Sequence, residues 1–64
     1  MKTQKQTNLN FAYLWFKKYD IKTTLSKDKL FISSHNIEVS AEDIKTRAKL
    51  YLKEEMQKIN LINN

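Results

Sequence analysis

IKTTLSKDKLFISSHNIEV, residues 21–39, decides how this chain folds. Ile21, Thr23 and Leu25 alternate with Lys22, Thr24 and Ser26. A period of two puts one set on each face of a β-strand. Leu30 and Ile32 repeat the pattern against Phe31 and Ser33, and Ile37 and Val39 repeat it against Glu38. Lys27-Asp28 marks a turn, and in the absence of glycine a type I turn with a bulge is expected rather than type I′. Ser34-His35-Asn36 marks a second turn, because Asn tolerates the left-handed conformation. The segment therefore predicts an antiparallel meander of two or three strands. Ile21, Leu25, Leu30, Ile32, Ile37 and Val39 would share its buried face. Lys22, Thr24, Ser26, Phe31 and Ser33 would face outward, with Lys27 and Lys29 at the turn.

The flanks change period. Leu9, Ala12, Tyr13, Phe16 and Tyr19 follow helical spacing, and Phe11, Leu14 and Trp15 widen that apolar face. A helix is expected to start within residues 7–10, capped by Asn8 or Asn10, and to end near Tyr19. Lys17 and Lys18 then occupy its last turn, where the helix dipole favours cations. Ser40-Ala41-Glu42-Asp43 has the form of a capping box. The helix it opens is expected to reach about Asn60, with Ile44, Ala48, Tyr51, Leu52, Met56 and Ile59 inward. Asp43–Arg47 and Glu54–Lys58 are spaced as i,i+4 ion pairs. The expected order is α-β-β-(β)-α, an α+β domain with both helices on one face of the sheet. Residues 1–7 read as a disordered basic N-terminus, 8–60 as the domain and 61–64 as a short tail.

Composition excludes many functions. Glycine, proline and cysteine are absent. Without glycine there is no phosphate-cradling loop, no EF-hand turn, no GXXG clamp and no glycine-bearing RNP motif. Without cysteine there is no disulfide, and one histidine cannot make a four-ligand zinc site. No cofactor and no metal are expected. His35 adjoins Ser33 and Ser34, but sequence adjacency does not make a nucleophile–base pair, so an enzyme is not expected. The longest apolar run, residues 11–16, is far short of a membrane span, and the basic N-terminus lacks the apolar region of a signal peptide. A cytoplasmic protein is the expectation. Eleven of the twelve basic residues are lysine, and Asn and Ile are abundant. That bias fits AT-rich coding, as in a phage or mobile element of a low-GC bacterium.

The net charge of +5 is unevenly placed. Residues 1–34 hold seven lysines against two acids, whereas residues 35–64 hold five basic and five acidic side chains. A one-sided excess points to a polyanionic partner. The candidate phosphate contacts are Lys17, Lys18, Lys22, Lys27 and Lys29, with Phe31 as an apolar contact to bases. Lys45 and Lys49, continued by Lys53, form a second basic row at i,i+4 spacing, although Glu42 and Glu54 flank it.

The stretch KTRAKLYL, residues 45–52, is similar to the basic start of the second helix in double-stranded-RNA-binding domains, which share the α-β-β-β-α order. The similarity covers eight residues. The glycine loops of that family are missing, and Glu42 and Asp43 stand where it carries basic residues. Small toxin RNases of related fold would need a catalytic histidine in a strand, whereas His35 falls in an expected turn. Two functions lead, ahead of a membrane-surface or antimicrobial-peptide-like role. One is a DNA-binding accessory or regulatory protein, with DNA favoured over RNA. The other is a protein-binding module, such as a phage-encoded inhibitor of a host enzyme (anti-CRISPR-like), an antitoxin or an immunity protein. That module would use Trp15, Phe31 and Leu50 as anchors against a host protein or in a homodimer.

Overall fold

The computed structural model describes residues 4–63, with side chains described for residues 4–59. Its order is α1 (Gln4–Lys18), β1 (Thr23–Ser26), β2 (Lys29–Ile32), β3 (Ile37–Glu38) and α2 (Ala41–Asn63). The three strands form one antiparallel meander in the order β1-β2-β3. The third strand, open in the sequence, does form. Leu25 pairs with Leu30, Thr23 with Ile32, and Ile32 with Ile37. The Val39 amide donates to the Leu30 carbonyl at 2.7 Å and carries the pairing one residue further.

Each boundary has a local cause. The Ser40 hydroxyl accepts from the Asp43 amide at 3.1 Å, which is the expected cap of α2. Asn36 takes a φ of 51° in the β2–β3 turn. At the end of α1 the chain solves a glycine problem without glycine. Asp20 adopts a φ of 62°, Ile21 N–H donates to the Phe16 carbonyl at 2.9 Å, and Asp20 N–H donates to the Lys17 carbonyl at 3.1 Å. These two bonds make a Schellman motif with aspartate at the left-handed position. Aspartate tolerates that conformation better than most residues with a Cβ.

Leu9, Ala12, Phe16, Leu30, Val39 and Ile44 form the buried cluster, and Tyr13, Trp15, Leu25 and Ile32 pack around it. Both helices therefore cover the same face of the sheet. They run in the same chain direction. Gln4 and Asn8 sit beside Ala41 and Ile44 at one end, while Lys18 meets Glu54 near the other.

Several expectations are corrected. Residues 4–7 are helical rather than disordered, because α1 begins at Gln4. Gln4 Nε2 donates to Asn8 Oδ1 at 3.0 Å, so Asn8 is an interior partner and not a cap. Residues 1–3 and 64 of the expected disordered segment and tail lie outside the described residues. The tail expected from residue 61 begins as helix, since α2 continues to Asn63. Tyr19, Ile21, Ile37, Leu52, Met56 and Ile59 were expected inside and are exposed. For Met56 and Ile59, which follow the Glu54 and Glu55 that meet the last residue of α1, the cause is length. A helix rises about 1.5 Å per residue, so the 23 residues of α2 outreach the 15 of α1 by about 12 Å. The last turns of α2 thus pass the end of their partner. Ile37 sits on a two-residue edge strand, with no third layer over it.

The two expected ion pairs are replaced. Arg47 does not pair with Asp43; its guanidinium carbon lies 4.5 Å from the Trp15 ring centroid and 5.7 Å from that of Phe16. Lys58 pairs with Glu55 at 3.6 Å instead of Glu54. Glu54 is taken by α1.

Candidate nucleic-acid interface

The outward face of the sheet carries the residues expected there. Thr24, Phe31 and Glu38 align across the three strands. Phe31 is half-buried, with Thr24 exposed beside it. Thr24 Oγ1 and Ser33 Oγ are hydrogen-bonded at 2.9 Å. Lys29 Nζ lies 3.9 Å from Glu38 Oε1, with both side chains exposed. An ion pair this long and this wet contributes at most about 1 kcal/mol, so Lys29 is easily released to another anion. Lys27 stands exposed in the β1–β2 turn.

One edge of this face meets α1 at an open cleft of about 360 Å³. Tyr13 and Lys17 line it from α1, Asp20 from the helix cap, and Lys22 and Ser33 from the sheet side. Lys17 Nζ lies 5.9 Å from the Tyr13 ring centroid. The two sheet-side residues are tied to each other, since Ser33 N–H donates to the Lys22 carbonyl at 3.0 Å. Two ammonium groups, a hydroxyl and an aromatic ring thus surround a space large enough for a phosphate. Asp20 opposes them with one negative charge.

Lys18, adjacent in sequence to Lys17, has a different environment. Its Nζ contacts Glu54 Oε1 at 3.0 Å and Glu55 Oε2 at 3.4 Å. The Tyr19 hydroxyl donates to Glu54 Oε2 at 2.9 Å. The Glu54 carboxyl is held below the usual carboxylate range, first by the hydrogen bond from Lys18 and then by that from Tyr19. The Trp15 indole helps slightly, although its Nε1 does not reach hydrogen-bonding geometry. The Lys18 ammonium is raised above its ordinary value, mainly by the bond to Glu54. The Tyr19 phenol is raised for the same reason, because losing its proton would break that bond. Trp15 and Tyr19 rings lie 4.5 Å apart, and Arg47 covers Trp15 from α2. This cluster seals the seam between α1 and α2.

The predicted contacts are therefore sorted into groups. Lys17, Lys22, Lys27, Lys29 and Phe31 lie along the sheet face and its corner. Lys18 is engaged in the seam. Lys45 and Lys49 lie exposed on α2, on the helical side of the sheet. Of the predicted protein anchors, Trp15 is covered by Arg47, Leu50 is half-buried on α2, and Phe31 is on the sheet, so the three do not form one surface. Ser34 Oγ and His35 Nδ1 are 2.8 Å apart in the exposed β2–β3 turn, and among the described residues no carboxylate contacts that histidine. Among the described residues no group of three His, Asp or Glu side chains is placed to hold a metal ion, and no helix is long and apolar enough to cross a membrane.

Sequence reasoning missed Tyr13 and Asp20 as cleft residues. Tyr13 read as core because its spacing matches Leu9 and Phe16. Asp20 had one available signal: an acid one residue past the last helical turn, in a chain with no glycine to take the left-handed position. Comparisons with protein-family profiles, curated proteins and solved structures gave no match.

Proposed function

We propose that the protein binds nucleic acid, DNA before RNA, as an accessory or regulatory factor, holding phosphates along the outward face of its sheet. The corner cleft carries this reading. It sets Lys17, Lys22 and Ser33 around one space and opens onto the face that holds Thr24 and Phe31. Lysines neutralise phosphates and release counterions, hydroxyls donate to phosphate oxygens, and a half-buried ring adds an apolar contact. A four-residue strand is about 13 Å long, which matches about four base-pair steps of duplex. Lys17 and Lys22 at one end and Lys27 and Lys29 at the other bracket that length. A phage or mobile-element setting rests on the AT-rich composition alone.

The test is fluorescence anisotropy with labelled duplex DNA, single-stranded DNA and duplex RNA at two salt concentrations. Four phosphate contacts imply a slope of log affinity against log salt of about −3.6 on duplex DNA, or about a 100-fold loss between 50 and 200 mM. No binding at low salt overturns the proposal.

A second reading, a protein-binding module, has its own observation. Leu52, Met56 and Ile59 are 44, 63 and 55% exposed and follow i, i+4, i+7 spacing along the C-terminal half of α2. Such a ridge is an apolar surface of the kind that partners cover. Its test is sedimentation of the wild type beside Met56→Glu. A concentration-dependent wild-type dimer that the variant loses would support it, and a wild-type monomer at all concentrations would remove self-association from this reading.

A further inference from the structure

We propose that one molecule bridges two segments of nucleic acid, using a second lysine surface on α2 that faces away from the sheet. The proposal rests on the nucleic-acid reading above. Lys45, Lys49 and Lys53 are four residues apart, exposed, and without an ion pair among the described residues. Helix geometry places neighbouring members about 6 Å apart along the axis and the whole ridge over about 12 Å. That is the same reach as the sheet face.

The seam explains why this ridge keeps its charge. α2 holds five basic side chains against four acids, so the sequence presents it as nearly neutral. In the fold, however, Glu54 and Glu55 turn toward α1 and are held by Lys18, Tyr19 and Lys58. They no longer offset the ridge. Glu42, one turn before Lys45, is the acid that remains beside it. At the start of the ridge Lys45 also meets Lys5 of α1 across a cleft of about 310 Å³ whose apolar wall includes Leu9 and Ile44. The second surface thus gathers a fourth lysine from the other helix.

The two surfaces do not merge. Both helices lie on the covered face of the sheet, so the ridge and Phe31 are on opposite sides of that layer. The shortest dimension of the backbone is 17 Å. The Debye length at 0.1 M salt is about 10 Å, so two polyanions held that far apart repel each other weakly.

The experiment couples two assays on three proteins: wild type, Lys22→Gln/Lys27→Gln, and Lys45→Gln/Lys49→Gln/Lys53→Gln. All five positions are exposed and glutamine is compatible with both settings, so far-UV circular dichroism should be unchanged. Anisotropy reports binding of one duplex. Capture of a labelled duplex on beads carrying an unlabelled duplex reports bridging. Each variant should still bind a single duplex through its intact face, with affinity lowered by roughly tenfold or less, while capture falls by more than about tenfold in both. Wild-type binding without capture overturns the bridge and leaves the nucleic-acid reading standing. Capture that persists in the α2 variant also overturns it, because bridging would then come from self-association of a one-faced protein. Absence of single-duplex binding by the wild type overturns the underlying reading itself.

Discussion

Lys17 and Lys18 are neighbours in sequence and belong to two different regions of the molecule. Lys17 looks into the corner cleft beside Tyr13 and Lys22, where cations face open solvent. Lys18, about 100° further round the helix, closes the seam with Glu54 and Glu55. One region keeps its charge available, and the other uses its charge to join two helices. Net charge alone does not distinguish them. What separates them is whether an acid from a distant part of the chain arrives at hydrogen-bonding distance. The seam also supplies the second basic surface indirectly, since the acids it holds are withdrawn from the outer side of α2.

Both regions depend most heavily on the core beneath them. Leu30→Ala removes a fully buried side chain from the centre of the sheet. A loss of about 2–5 kcal/mol is expected, which in so small a domain abolishes the urea unfolding transition and nucleic-acid binding together. Arg47→Ala attacks the seam alone. It removes the stack on Trp15 and should lower unfolding stability by about 1 kcal/mol, with a red shift of tryptophan fluorescence and an unchanged salt slope. Asp20→Asn sharpens the sheet-side region instead. Asparagine also accepts the left-handed conformation, so stability should stay within about 0.5 kcal/mol in urea titrations. Losing the acid from the cleft should tighten duplex binding by roughly twofold to threefold in anisotropy.

The smallest expected effect is the pH dependence of the seam. Glu54 is depressed in the fold, so its contribution is present above the ordinary carboxylate pKa and is lost as pH falls through the lower folded value. Lys18 and Tyr19 are raised, so theirs is present below their ordinary values and is lost as pH rises through the higher folded ones. Thermal midpoints of wild type and Glu54→Gln should therefore differ most in the neutral range and converge at both acid and alkaline pH. Parallel curves across the whole range would show that these bonds do not form in solution.

Much of the architecture is legible in the sequence. The period-two stretch marks the first two strands and leaves the third open, Ser40 announces α2, and Asn36 announces the last turn. These are local signals, carried within a few residues. The extent of burial is not local. Met56 and Ile59 continue the inward face of α2, yet nothing within α2 records that α1 stops at Lys18. Arg47 and Glu54 had plausible partners four residues away and took others 31 to 36 residues away, because packed aromatic rings and a neighbouring helix outweigh an exposed pair worth a few tenths of a kcal/mol. The candidate face was visible as alternating lysines and hydroxyls around Phe31. Its division into free and engaged lysines depends on contacts that only the fold creates.

The most direct test of the account is the salt slope of duplex DNA binding for the wild type, Lys22→Gln and Lys18→Gln. Lys22→Gln should reduce the magnitude of the slope by about one unit with stability unchanged, whereas Lys18→Gln should leave the slope intact and lower stability. Equal loss of slope in both variants, or binding indifferent to salt in the wild type, would contradict it.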